Sequence, residues 1–367
     1  MAQERIYLDH AATTPMRPEA RLAMIEGFDL WANPSSPHAE GRKARAMLEE
    51  ARERIKASFD WEGELIFTSG ASEALEIGLG RANAERQIVS SVEHDAVFRA
   101  AHDATILPIG KDWIVDRNLL SDTLASGSKA VVAVQHMNSE TGAMQPITEI
   151  ATQVREAGGI LISDCSQSAG KHRLPDADII VVSAHKLGGP VGIGALLVRD
   201  LGMLKPCGGQ ERGYRAGTEN LPAALGFAVA VEARGISTET VGEGMSCQSI
   251  AGQADWLMTP GYAFVDIQYD INRLGGAFQL SPSHWSDFSI LSITMPGVSA
   301  SAQLIHFDAA GFAVSAGSAC SSGTLKTSRT LLAFGISESD ARNTIRMSAG
   351  WNTSYNDIIA FSQAWQK

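Results

Sequence analysis

Cysteine is scarce: the chain has four in 367 residues, Cys165, Cys207, Cys247 and Cys320, with no C-x-x-C pair and no zinc-ligand spacing. That argues against a disulfide scaffold or a cysteine-rich metal centre, and no metal is expected. Positive charge is also in short supply: 30 Lys and Arg against 41 Asp and Glu leave a formal net charge of −11. Direct binding to nucleic acid or to an acidic membrane is therefore not expected. No apolar run approaches the roughly 18 residues of a membrane span. The opening stretch MAQERIYLDHAATTP lacks the apolar core of a secretory signal. A reducing cytoplasm is the expected compartment. Internal repeats and low-complexity tracts are missing as well.

What remains is ordinary globular material, 44% hydrophobic and 19% charged, long enough for one large and one smaller domain. From about residue 43 to 230 helical and strand patterns alternate. KARAMLEEARERIKASF and ITEIATQVREAG have helical apolar spacing; ELIFTSGASEALEIGLGRA reads as strand, glycine turn, helix. RQIVSSVEH, KAVVAVQHMNSE, GGILISDCSQS and ADIIVVSAHK are short apolar strands ending in polar residues. This alternation predicts an α/β fold: an open, mostly parallel sheet covered on both faces, with ligands bound beyond the carboxyl ends of its strands. Residues 290–367 read as α+β, with strands in SILSITMPG and GFAVSAGSAC and helices in SAQLIHFDAA, around RTLLAFG and in YNDIIAFSQAWQ. The tract 236–289 has no clear period, and Arg273 is the only Lys or Arg between Arg234 and Lys326. It reads as an irregular insert or a frameshifted tract.

The stretch ADIIVVSAHKLGG places Lys186 at the mouth of an apolar strand. Burying an ammonium there is costly unless it is paired or loses its proton, so Lys186 is either a snorkelling surface residue or an amine poised to form a Schiff base. Asp164 ends the strand GGILISD and precedes Lys186 by 22 residues, one strand–helix–strand step, which puts both on neighbouring strand ends. It could keep a pyridine nitrogen protonated, as pyridoxal phosphate requires. Gly70-Ala71-Ser72 opens a predicted helix, whose N–H groups and dipole favour a phosphate. His94 offers a flat ring for stacking. Gln167, Ser183 and His185 add hydrogen-bonding groups. Singly, each is more often a cap, a turn or a satisfied structural residue; together they form a coherent cofactor site.

At this point the chain resembles the NifS/IscS-type cysteine desulfurases, in the class V branch of the fold-type-I pyridoxal-phosphate enzymes. The likeness covers about residues 5–232 and 290–350. It is carried by YLDHAATTP at 7–15, NPSSPH at 33–38, FTSGASEA at 67–74, VEHDAV at 92–97 and NSETG at 138–142. SDCSQSAGK at 163–171, SAHKLGGPVGIGAL at 183–196, GGQERGYRAGTEN at 208–220, SAGSACSSG at 315–323 and IRMSAG at 345–350 complete it. The resemblance implies a seven-stranded, mostly parallel sheet in a large domain, 15–232, and a smaller α+β domain formed by 1–14 with 233–367. It implies that Lys186 carries the cofactor and shuttles protons, with Asp164 on the pyridine nitrogen, Gln167 on the phenolic oxygen and His94 stacked on the ring. Ala71, Ser72, Ser183 and His185 would receive the phosphate, and Thr218 would reach the phosphate of a second subunit, which implies a homodimer with shared sites. Asn138 and Ser139 fall where the cofactor is contacted. Arg346, with Asn33, would hold the substrate carboxylate; its fork matches a carboxylate bidentately.

Cys320, in a loop of small residues, would be the nucleophile that takes sulfur from L-cysteine, leaving alanine and an enzyme persulfide. A sulfur-acceptor or iron–sulfur scaffold protein would then receive the sulfur, for cluster assembly or tRNA thiolation. The chain departs from the family at Ser139, where a second Asn is usual; at Gln210, in place of a His; and throughout 236–289, where a charged helical segment is expected. A selenocysteine lyase, another class V aminotransferase-family enzyme, or an impaired paralogue serving as an assembly partner are the competing expectations.

Overall fold

The computed structural model describes residues 5–30, 32–125, 127–233, 278–279, 289–317 and 326–365. Cys320 and nearly all of the tract 236–289 lie outside the described residues.

Helices α1 (Pro18–Phe28) and α2 (Ala39–Phe59) precede the main sheet. Its strands are β2 (Glu64–Thr68), β3 (Arg86–Ser90), β4 (Thr105–Leu107), β5 (Ala130–Ala133), β6 (Ile160–Asp164), β7 (Ile179–Ser183) and β8 (Gly194–Val198), counted after a short β1 (Ile6–Tyr7). Between them lie α3 (Ala71–Gly80), α4 (Asp95–Ala100), α5 (Arg117–Ala125) and α6 (Ile147–Glu156), and α7 (Leu221–Glu232) follows. The seven strands are ordered β2-β8-β7-β6-β5-β3-β4. All pairings are parallel except those of β8, which runs antiparallel to both β2 and β7. The expected seven-stranded, mostly parallel sheet is therefore present.

Successive residues of a strand point to opposite faces, and here both faces are covered. Ile180 and Val182 pack into one apolar cluster with Leu48, Ile55 and Phe227 from α2 and α7. Ile179 and Val181 pack into a second with Leu75 and Val97 from α3 and α4. This is why β7 reads as an unbroken β-branched run rather than an alternating one. The expected long strand KAVVAVQHMNSE is shorter as a strand, but its backbone stays tied to β6, with Val134 N–H donating to Ile162 O and His136 N–H to Asp164 O.

Toward the C-terminus, β9 (Phe278–Gln279), β10 (Ile290–Thr294) and β12 (Thr344–Ser348) form an antiparallel sheet. The strand β11 (Phe312–Ala313) pairs parallel with β1. Helices α8 (Ala300–Ala309), α9 (Arg329–Ala333), α10 (Glu338–Arg342) and α11 (Tyr355–Trp365) complete the described elements. Leu8, Leu291, Ile345, Phe307, Phe361 and Trp365 share one buried cluster, with Phe307 stacked on Phe361 at 4.9 Å. The first described residues thus pack with the last hundred. Among the described residues no helix is long and apolar enough to cross a membrane.

Candidate active site

Three strands of the sheet, β3, β6 and β7, end in residues singled out above; β6 and β7 are adjacent, and β5 lies between β6 and β3. His94 lies beyond β3 as the N-cap of α4, its Nδ1 accepting the Ala96 N–H at 3.2 Å. Asp164 closes β6 and its Oδ1 accepts the Ser166 N–H at 2.9 Å. Lys186 ends a single 3₁₀ turn, Ala184–Lys186, directly after β7. The three share one electrostatic environment. Burial lowers the His94 pKa, the nearby Asp164 carboxylate opposes that shift, and the Lys186 ammonium reinforces it.

The segment Asp9–Thr14 lies against this turn. Lys186 Nζ donates to Ala11 O and, at 2.8 Å, to Ala12 O. Gln167 Nε2 donates to the same Ala11 O at 2.9 Å. Thr14 donates from its backbone N–H to His185 O (2.9 Å) and from Oγ1 to Lys186 O (3.2 Å). His185 Nδ1 meets Thr13 Oγ1 at 3.1 Å. Burial first and Lys186 second push the His185 pKa down to about 4, so this imidazole is neutral at neutral pH.

Ala71 and Ser72 form the first turn of α3, and Ser72 is exposed. Gly70 enters the helix at φ 149°, and a Cβ on Gly194 would stand 2.9 Å from the Gly70 Cα, so the strand start and the turn touch backbone to backbone. Buried Ser183 pairs in register with Gly194, and Thr68 with the same Gly194. The helix N-terminus and Ser183 therefore belong to one corner of the sheet. Thr218 is exposed on a loop held by Gln210, whose Oε1 accepts the Gly217 N–H at 3.0 Å. The root of that loop is a buried ion pair: Arg52 donates to both oxygens of Glu211 at 2.7 and 3.1 Å, and Phe67 N–H donates to Glu211 Oε2 at 2.8 Å.

Asn138 and Ser139 sit beyond β5. The Asn138 side chain is spent inside the turn: Oδ1 accepts from Glu140 N–H, Thr141 N–H and Thr141 Oγ1, and Nδ2 donates to Val92 O. Ser139 presents its carbonyl, which accepts from Arg346 Nη1 at 2.9 Å. Arg346, on β12 and almost fully buried, also pairs through Nη2 with Asp9 Oδ1 at 2.8 Å, while its Nε has no hydrogen-bond partner among the described residues. Asn33 is exposed, its Oδ1 accepting the Ser35 N–H at 2.9 Å; among the described residues no bond joins it to Arg346.

Sequence reasoning assigned no role to Asp9, Ala11, Ala12 or Glu93. YLDHAATTP was noticed as a motif, but two of its contributions are backbone carbonyls, which leave no residue signature. Glu93 is fully buried, with Oε1 accepting the Gln135 N–H at 2.8 Å. Burial, with the Asp164 charge adding to it, raises its pKa to about 8, so it is mainly protonated at neutral pH. Arg329, lying over the Phe98 ring, donates to Ser91 O and Glu93 O and pins the turn that carries His94. Burial pushes the Cys165 thiol up to about 12, which makes it an inert core residue. Among the described residues no group of His, Cys, Asp and Glu could hold a metal ion.

The donor set suits pyridoxal phosphate: a lysine and a carboxylate on adjacent parallel strand ends, a largely neutral imidazole in the same field, a helix N-terminus at one corner and a buried guanidinium with an unspent donor. On this sheet such a set defines a fold-type-I pyridoxal-phosphate enzyme. Residues 6–241 match the family model of the class-V aminotransferases, and the chain belongs to that family, in its NifS/IscS-type cysteine desulfurase branch. It is 36% identical over 371 residues to the putative cysteine desulfurase IscS 1 of Bacillus subtilis, covering 95% of this chain and 94% of that protein. It is 33% identical to an IscS-like cysteine desulfurase of Mycobacterium tuberculosis, covering 96% and 93%. The solved structure of a NifS-like protein from Rickettsia africae superposes with a TM-score of 0.82 at 26% identity, covering 99% of both chains.

Proposed function

We propose that the protein converts L-cysteine to L-alanine with pyridoxal phosphate and passes the sulfur to Cys320 as a persulfide. The observation that carries this reading is the placement of His94, Asp164 and Lys186 on three strand ends, with Arg346 linked to the same segment, Asp9–Thr14, that receives Lys186 Nζ. In the balanced reaction the Cβ–S bond of L-cysteine breaks with its electron pair left to carbon, and that sulfur bonds to the Cys320 sulfur. One thiol proton ends on Cβ, which becomes the methyl group of alanine, while the other stays on the persulfide. Pyridoxal phosphate supplies the electron sink that makes the Cα–H and Cβ–S bonds labile.

The chain's own residues do the rest. Asp164 would hold a proton on the pyridine nitrogen, a role supported by its place at the end of β6. His94, kept largely neutral by burial, would stack on the ring. Gln167 contacts the phenolic oxygen, and Ala71, Ser72, Ser183 and His185 hold the phosphate. Lys186 would hold the cofactor and carry a proton at its Nζ, the atom that donates here to the Ala11 and Ala12 carbonyls. Arg346 binds the substrate carboxylate through the edge that carries its unpaired Nε. The contact assigned to Asn33 remains part of this reading, although its side chain caps its own turn here.

The division into a large domain, 15–232, and a smaller one of 1–14 with 233–367 is supported by the separate cluster around Phe307 and by the pairing of β1 with β11. A homodimer is supported by α1, whose Leu22, Ile25 and Phe28 are exposed at helical spacing while its other side packs on α7. A second subunit would cover that face and bring the exposed Thr218 to a neighbouring phosphate. The cytoplasm, and a sulfur-acceptor or iron–sulfur scaffold protein as recipient, complete the proposal.

The test is alanine formation from L-cysteine by purified, cofactor-loaded protein, with and without a thiol reductant. Alanine accumulating over many turnovers with reductant is expected. A loaded protein that makes none would overturn the reading.

A further inference from the structure

We infer that Asp9 is a positioning residue for the substrate carboxylate: it orients the Arg346 guanidinium so that the Nε edge, and not the terminal edge, faces the ligand. The inference rests on the reading of Arg346 as the carboxylate site.

A guanidinium carries five N–H donors in one plane and cannot turn one without turning all. In Arg346 one terminal nitrogen donates to Asp9 Oδ1 at 2.8 Å and the other to the Ser139 carbonyl at 2.9 Å. Both ends are gripped by the protein, from two segments far apart in sequence, and the plane is fixed. The donor left over is Nε, buried and without a hydrogen-bond partner among the described residues. Native proteins rarely leave a charged donor buried without an acceptor, and a carboxylate binding bidentately needs two adjacent N–H groups on one edge. The edge with Nε supplies them, since the terminal nitrogen beside it has a second N–H to give.

Asp9 is itself well anchored. Ser348 N–H donates to Leu8 O at 2.8 Å, and Ala11 N–H donates to Ser348 Oγ at 2.8 Å, so the backbone on both sides of Asp9 is tied to β12 two residues beyond Arg346. The Asp9 side chain is only 20% exposed. A merely charge-balancing carboxylate needs proximity; this one has a fixed place and a fixed atom on the arginine.

The experiment separates placement from charge and from general damage. Loaded protein is titrated with L-alanine, which has the carboxylate, and with ethylamine, which lacks it, following the visible absorbance of the bound cofactor. Asp9→Ala is expected to weaken L-alanine about tenfold and to leave ethylamine within about twofold. Asp9→Asn keeps an acceptor oxygen at the same place and is expected to restore L-alanine to within about threefold of the wild type. An Asp9→Ala protein that binds L-alanine normally, or loses both ligands equally, would overturn the inference, as would an Asn variant no better than the Ala one. Arg346→Ala is the separate control: if it spares L-alanine, the carboxylate site itself is elsewhere.

Discussion

Lys186 follows the buried run Ile179–Ala184, and its Nζ donates to the Ala11 and Ala12 carbonyls. Lys186→Ala is expected to abolish the visible absorbance of purified protein while far-UV circular dichroism stays unchanged. Cys320→Ser is expected to keep the absorbance and cut sulfur release at least about 100-fold. Cofactor anchoring and sulfur acceptance thereby separate into two measurements. Cys165, with its raised pKa, is expected to contribute nothing: Cys165→Ala should change sulfur release by less than about twofold.

At the scale of elements, the loop from Gln210 to Thr218 depends on one ion pair. Arg52 leaves α2 to reach Glu211, its guanidinium lying over the Phe67 ring, and Glu211 also accepts from the backbone of β2. Removing Glu211 leaves the buried Arg52 with only the more exposed Glu49, at 3.0 Å, as counter-charge, so Glu211→Ala is expected to cost about 3 kcal/mol in urea unfolding. Joint replacement of Arg52 and Glu211 by Met and Leu should cost less. Elements with a single apolar face or a continuous buried run were legible in the sequence: α2 and α6 by helical spacing, β6 and β7 by β-branched runs. Others carry weaker patterns. In α7, LPAALGFAVAVE is apolar all round because it is buried between α1 and α2, so it shows no amphipathic period. In α1, apolar residues point outward, which inverts the usual pattern. Side chains at strand ends, Asp164, His94 and Lys186, were legible because their chemistry is in the side chain. The grip of Ala11 on Lys186 and Gln167 was not, because any residue offers a carbonyl. Asn138 was read as a cofactor contact from its motif, and the structure shows its amide organising the turn.

For the whole molecule, pH acts through two sequestered imidazoles, with the buried Glu93 carboxyl, raised to about 8, working in the opposite sense. His10 and His185 both have pKa values lowered to about 4, chiefly by burial, with Lys171 adding to the first and Lys186 to the second. Unfolding returns them to about 6.5, so between those values the unfolded chain binds more protons and stability falls as pH falls. The melting temperature is expected to drop between pH 6.5 and 4, and His10→Gln should flatten that slope, by about 3 kcal/mol at most. The exposed face of α1 gives a further whole-molecule expectation: Leu22→Glu combined with Phe28→Glu should convert a dimer to a monomer in sedimentation velocity, with sulfur release falling in step.

The ion pair between Asp9 and Arg346 joins residues 337 positions apart. A ribosome adding about 5–20 residues per second makes the aspartate tens of seconds before the arginine that it holds. By the time Arg346 is added, strands β2 to β8 and Lys186 have all been synthesised, whereas the pair between Asp9 and Arg346 has yet to form. A nascent chain therefore holds the lysine proposed to bind the cofactor before it holds the arginine proposed to bind the substrate carboxylate.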